Sequence, residues 1–194
     1  MPSVVVFCGS RTGGSPEYAS ATETLGNTLV TAGYDLVYGG GSIGLMGVLD
    51  RSVLNAGGRV TGVITHSLAI KEIVQTDATT LHIVDTMHQR KAMMADLADA
   101  FLAIPGGFGT CDELFEILTW AQLGIHRKPI VLWNMQQFFD PLLAMIEQMV
   151  VSGFLSRSNQ ELLRIAPDMV SLLKLLQTPV VPVDALKWAD RDDR

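Results

Sequence analysis

The sequence predicts an α/β fold, a single-domain Rossmann-like doubly wound parallel sheet with helices on both faces. Three observations carry this. Short apolar runs alternate with amphipathic stretches of helical length from residue 4 to residue 152. The runs are apolar almost throughout rather than alternating, as expected of parallel strands covered on both faces. Glycine turns directly follow several runs, where a strand hands over to a crossover helix.

Taken in order, residues 4–7 (Val-Val-Val-Phe) read as the first strand. Residues 17–31 read as a helix stopped by Gly33, and 35–38 as a second strand ending in Gly39-Gly40-Gly41. A helix over 43–55 is stopped by Gly57-Gly58, and 59–64 form a third strand. Residues 67–74 are a short helix or loop. The fourth strand covers 81–84, with a helix over 86–97 opened by the capping pattern Thr86-x-x-Gln89. The fifth strand covers 100–104 and its helix 111–124. A sixth strand at 130–133 is followed by a helix over 141–152, and one more helix is expected at 168–176. No repeat or second domain is visible, so residues 1–177 are expected to form one nucleotide-binding domain. The segment 178–194, with Pro179, Pro182 and a charged end, is expected to be extended and partly disordered.

Composition narrows the function. The 194 residues are 48% hydrophobic and 18% charged, and no apolar run is long enough to span a bilayer. No signal-peptide pattern precedes the first strand. A formal net charge of −6 without a Lys/Arg cluster argues against a nucleic-acid surface. Two cysteines, Cys8 and Cys111, are too few for a disulfide framework and suit a reducing cytoplasm. Four histidines show no metal-ligand spacing, so neither a metal nor a cofactor is expected.

The segment richest in chemistry is Pro105-Gly106-Gly107-Phe108-Gly109-Thr110-Cys111-Asp112-Glu113. A glycine turn between a strand and a helix lets backbone N–H groups approach an anion, and the helix dipole favours it there. A carboxylate, Glu113, lies beside this anion site. Its competing reading is a capping box, Thr110-x-x-Glu113. The second turn, Gly39-Gly40-Gly41-Ser42-Ile43-Gly44, matches G-x-G-x-x-G, but it follows the second strand and no acidic residue ends the next one. A dinucleotide site is therefore rejected, and so is a Walker loop. What remains is a turn for phosphate or ribose, or tight strand–helix packing. Arg90 and Lys91 oppose the dipole at the start of their helix, a cost that a bound anion would offset; the alternative is a solvated surface charge. Cys111 reads as small filler rather than a nucleophile. Trp120, Gln122, His126 and Lys128 read as interface, pocket rim or plain surface. In an open parallel sheet, Cys8-Gly9-Ser10, both glycine turns and residues 87–91 would all meet outside the carboxyl ends of the strands.

At these residues the chain resembles the Lonely-Guy family of cytokinin-activating nucleoside 5′-monophosphate phosphoribohydrolases, often labelled lysine decarboxylases. The signature P-G-G-x-G-T-x-x-E is matched in full by Pro105 to Glu113, and the likeness extends over residues 7–10, 37–47, 87–92 and 119–126. The resemblance implies hydrolysis of the N-glycosidic bond of N6-modified adenosine monophosphates to free base and ribose 5-phosphate. It implies Arg90 and Glu113 as catalytic residues. It implies substrate or phosphate contacts at Ser10, Gly40, Gly41, Ser42, Glu72, Arg90, Lys91, Gly106, Gly107, Phe108, Gly109, Thr110, Asp112, Glu113 and Thr119. A homodimer with the active site near its interface is implied too, with a small-molecule nucleotide as partner and no nucleic acid or membrane. The chain departs from the family's commoner pattern at Cys111-Asp112 and at residues 64–67. Another class of reading is a non-catalytic nucleotide or cofactor carrier of the same fold. Lysine decarboxylation is the least favoured, for want of a lysine in a pyridoxal phosphate setting.

Overall fold

The computed structural model describes residues 1–71 and 78–180. Seven strands, β1 (Ser3–Phe7), β2 (Asp35–Tyr38), β3 (Val60–Thr65), β4 (Thr80–Val84), β5 (Ala100–Ala103), β6 (Ile130–Trp133) and β7 (Leu163–Ala166), form one sheet in the order β4-β3-β2-β1-β5-β6-β7. Every neighbouring pair is parallel. Eight α-helices lie among the described residues: α1 (Pro16–Thr31), α2 (Gly44–Asn55), α3 (His66–Lys71), α4 (Met87–Leu97), α5 (Phe108–Gln122), α6 (Asp140–Val151), α7 (Arg157–Gln160) and α8 (Met169–Gln177), with a single 3-10 turn at Met135–Gln137.

The two-residue period of a strand sends alternate side chains to opposite faces. In β1, Val4 and Val6 join Leu25 and Leu29 of α1, Leu49 of α2 and Leu172 of α8 on one face. Val5 and Phe7 join Met94 of α4, Leu114 and Ile117 of α5 and Ile146 of α6 on the other. Fully burying each such side chain stabilises the fold by about 1.5–3 kcal/mol. This two-sided demand is why the central strands β1, β5 and β6 are apolar almost throughout, and it is the doubly wound arrangement the sequence predicts.

β7 and α7 were not foreseen. β7 is an edge strand whose run Leu-Arg-Ile-Ala is interrupted by a charge. Arg164 is there for a local reason: its guanidinium donates to the carbonyls of Leu175, Thr178 and Pro179 and closes the end of α8. At the other end of α8, Asp168 caps it by accepting from Ser171 N–H at 2.7 Å. Thr178 has an extended backbone at the end of α8; of the segment 178–194, residues 181–194 lie outside the described residues.

The strand order reverses at β1, which pairs with β2 on one side and β5 on the other. Crossovers leave in opposite directions from these strands, so a crevice opens beyond their carboxyl ends. Gly9 N–H donates to Pro105 C=O at 3.1 Å there and ties the loop after β1 to the loop after β5.

Candidate active site

The glycine turn after β5 leads into α5 three residues earlier than the sequence predicts. Gly107 is the N-cap, and no side chain caps the helix. Thr110 and Glu113 therefore lie inside α5, and both are buried. This overturns the capping-box reading: the fold spends neither side chain on the helix start. Thr110 packs under Gly106 instead, where a Cβ would run into its Oγ1. Gly107 and Gly109 differ, because a Cβ at either would meet no atom within 4 Å. Nothing in the chain's own packing requires glycine at these two positions. The first N–H groups of a helix lack intrahelical partners, so this open, glycine-flanked start is suited to an anion.

α4 begins with the predicted capping box. Thr86 Oγ1 accepts from Gln89 N–H at 3.2 Å, and Gln89 Oε1 accepts from Thr86 N–H at 3.1 Å. This fixes the direction of the helix, and Arg90 follows directly. Arg90 is only 7% exposed, which corrects the surface-charge alternative. Its Nε donates to Val63 C=O at 2.9 Å, Nη2 to Gly39 C=O at 3.1 Å and Nη1 to Glu113 Oε1 at 3.3 Å. A buried charge is tolerated only when paired and hydrogen-bonded, and Arg90 obtains both from three separate elements. The offset expected from a bound anion is thus supplied within the chain. Gly39 is required by this arrangement, since a Cβ there would overlap Arg90 Nη2.

Glu113 is the other half of the pair. Burial pushes its carboxyl up to about 7 from an ordinary 4.5; Arg90 and Lys91 pull it back, and Asp112 and Glu116 push it further. The site thus contains a carboxylate whose pKa burial raises toward neutrality, held against the Arg90 guanidinium. Lys91, beside Arg90, turns to α5: its Nζ lies 3.1 Å from Asp112 Oδ2 and 3.1 Å from Glu116 Oε1. Burial works against the Lys91 ammonium, but the hydrogen bonds to the two carboxylates outweigh it and raise its pKa.

A family model described as "Possible lysine decarboxylase" matches residues 46–176, which include Arg90, Lys91 and the whole turn from Pro105 to Glu113. The chain is 47% identical over 174 residues to the cytokinin riboside 5′-monophosphate phosphoribohydrolase LOG2 of Arabidopsis thaliana, covering 90% of this chain and 82% of that protein. It is 43% identical over 178 residues to the cytokinin riboside 5′-monophosphate phosphoribohydrolase of Rhodococcoides fascians, covering 91% and 90%. The chain belongs to the cytokinin riboside 5′-monophosphate phosphoribohydrolase family. Solved structures with the same fold include the molybdenum cofactor carrier protein of Chlamydomonas reinhardtii, with TM-score 0.67 and 20% identity over 89% of this chain and 94% of that one. The molybdenum cofactor binding protein of Rippkaea orientalis is similar, with TM-score 0.67 and 20% identity over 90% and 94%.

In this phosphoribohydrolase family member the remaining predicted residues divide clearly. Gly40 and Gly41 are buried beside Gly39, and Gly40 has a positive φ of 75°. Gly44 also has positive φ, 61°, and a Cβ there would overlap the backbone of Ser10. Leu45 N–H donates to Gly9 C=O at 3.0 Å, so the start of α2 is already engaged by the loop after β1. Tight packing accounts for the glycines of the first turn, and exposed Ser10 and half-buried Ser42 lie at its edge. Phe108 is almost fully exposed at the start of α5. Thr119 lies farther along α5, its hydroxyl donating to Phe115 C=O at 2.7 Å. Glu72 lies outside the described residues.

His126 is structural: Nδ1 accepts from Lys128 N–H at 3.1 Å, which leaves Nε2 to donate to Ile117 C=O at 2.9 Å. Lys128 Nζ donates to Ala95 C=O at 2.7 Å and closes the end of α4. Cys111 is half-buried in the first turn of α5. Burial and the nearby carboxylates Glu113 and Asp50 push the Cys8 thiol well above its ordinary range, so it is no nucleophile. Sequence reasoning missed Glu116 and the steric role of Gly39, because both act through a contact between distant segments.

Proposed function

We propose that this chain hydrolyses the N-glycosidic bond of N6-modified adenosine 5′-monophosphates, releasing the free base and ribose 5-phosphate. The observation that carries the reading is the buried Arg90–Glu113 pair, 3.3 Å apart, just inside the open, uncapped start of α5. Relatives at 43–47% identity bear the name of this activity. The 5′-phosphate binds at Gly107, Phe108 and Gly109, where backbone N–H groups and the dipole favour an anion. Lys91 adds a positive charge beside it. The start of α2 contributes less, because Gly9 already accepts from Leu45 N–H.

Glycosidic cleavage passes through an oxocarbenium-like state with positive charge on the ribose. Ionised Glu113 stabilises that charge and takes a proton from the attacking water. Its raised pKa makes it an effective base near neutral pH. Arg90 is spent on two carbonyls and on Glu113, so its role is to hold the carboxylate in place and keep it partly ionised. Binding energy from the remote phosphate positions the bond to be broken. The lysine decarboxylase label fits poorly: Lys91 is held between two carboxylates, the wrong setting for a Schiff-base lysine, which needs a depressed pKa.

The chain acts as a cytoplasmic homodimer. Leu123 and Ile125 after α5, Met145 and Val151 on α6 and Phe154 beyond it are exposed apolar side chains that a subunit interface would cover. No helix among the described residues is long and apolar enough to cross a membrane. Light scattering giving a mass near twice 21.0 kDa supports the dimer, and a mass near one chain refutes it. For the activity, purified protein is incubated with isopentenyladenosine monophosphate, AMP and isopentenyladenosine, and the free base is followed by chromatography. Base release from the prenylated monophosphate but not from the nucleoside supports the reading. Release from neither refutes it.

A further inference from the structure

We propose that Glu116 is a positioning residue of this site, holding Lys91 Nζ together with Asp112 so that the ammonium stands beside the Arg90–Glu113 pair. The proposal rests on the hydrolase reading above and adds a residue to it. Asp112 and Glu116 are four apart on α5 and share one helix face. Lys91 comes from α4 and ends between them, 3.1 Å from an oxygen of each.

An ordinary surface ion pair contributes little and is freely solvated. This one is different. The Lys91 side chain is 11% exposed and that of Glu116 21%, against 59% for Asp112. Glu116 is thus the inner partner. Its second oxygen, Oε2, is buried with no hydrogen-bond partner among the described residues. Leaving a buried carboxylate oxygen unsatisfied costs stability, and such cases call for a reason. The reason here is location. The groups facing Glu113 are Arg90 and Lys91 from α4, Asp112 and Glu116 from its own helix, and Cys8 from the end of β1. Two cations and two carboxylates thus act on the Glu113 carboxyl through their charge. Glu116 keeps the second cation turned toward α5 and offsets its charge, so Lys91 serves the phosphate without pulling Glu113 down to an ordinary carboxylate.

The test compares wild type with Glu116→Gln, Glu116→Asp and Asp112→Asn. Competitive acetylation followed by mass spectrometry reads Lys91 directly and needs no turnover. Lys91 is expected to react several-fold faster in Glu116→Gln than in wild type and near the wild-type rate in Glu116→Asp. The pH profile of kcat/KM reads the field at Glu113: Glu116→Gln should lower the acidic midpoint, since a like charge is removed. If Glu116→Gln does not fold, Asp112→Asn loosens the same grip from its exposed side and should also speed acetylation of Lys91. Wild-type acetylation of Lys91 in both loosened variants, or an unmoved acidic midpoint in Glu116→Gln, overturns the proposal. If the wild type releases no ribose 5-phosphate, the hydrolase reading fails, while the acetylation rates still decide whether Glu116 anchors Lys91.

Discussion

Replacing Glu113 by Gln should make the protein more stable at alkaline pH than the wild type, relative to the same pair at acid pH. The wild-type carboxyl rises from 4.5 to about 7 because it is buried. At roughly 1.4 kcal/mol per pH unit this corresponds to about 3 kcal/mol. The sign follows from proton binding. The folded state holds this proton more tightly than the unfolded chain, so its stabilising effect is full below pH 4.5 and is lost as pH rises through 7. Most of the about 3 kcal/mol therefore disappears between pH 5 and pH 8. Gln has nearly the same shape, can accept from Arg90 and does not titrate. Arg90 is present in both proteins, so its own contribution cancels in the comparison. Urea unfolding of each protein at pH 5 and pH 8 gives the double difference, which should be about 2–3 kcal/mol. An equal pH dependence in the two proteins would refute the claim that burial strains this carboxylate.

Other perturbations probe the same geometry. The value of kcat/KM should fall tenfold per unit as pH drops below about 7, as Glu113 takes up its proton; a profile flat down to pH 5 would remove Glu113 as the base. Gly39→Ala should cut turnover by about 100-fold or more, because its Cβ displaces Arg90 Nη2; wild-type turnover in the folded variant would contradict this. Gly106→Ala, which meets Thr110 and Gly9, should cost about 1–3 kcal/mol of stability, whereas Gly107→Ala, which meets nothing, should change stability by under about 1 kcal/mol and raise KM. Equal losses of stability in the two would undo the distinction between a packed and an open glycine. Burial lowers the His126 pKa from 6.5, so its contribution is full above that value and fades as pH falls below it. Unfolding midpoints of wild type and His126→Gln should therefore converge in acid.

The sheet was legible because its central strands β1, β5 and β6 are buried on both faces and carry near-continuous apolar runs. β7 was hidden because Arg164 interrupts its run to close α8, and an edge strand does not need the full pattern. The start of α5 was misplaced because Gly107 and Gly109 are poor helix formers and Thr110-x-x-Glu113 imitates a cap. The glycine turn pointed to an anion from sequence alone. The sequence places the Arg90 and Glu113 segments at one crevice and leaves open whether Arg90 holds Glu113 or pairs with phosphate; the choice of Glu113 was not legible there, since the two lie 23 residues apart on different helices. Glu116 carried no local signal at all: a Glu on a helix face reads as solvated until Lys91 is seen arriving from α4.

The most direct test of the account is single-turnover release of ribose 5-phosphate from isopentenyladenosine monophosphate by wild type and Glu113→Gln, with nucleotide binding measured by calorimetry on the same samples. The account predicts rapid release by the wild type and a loss of at least about 100-fold in the variant, with nucleotide still bound. Near wild-type release by a folded Glu113→Gln protein would contradict it.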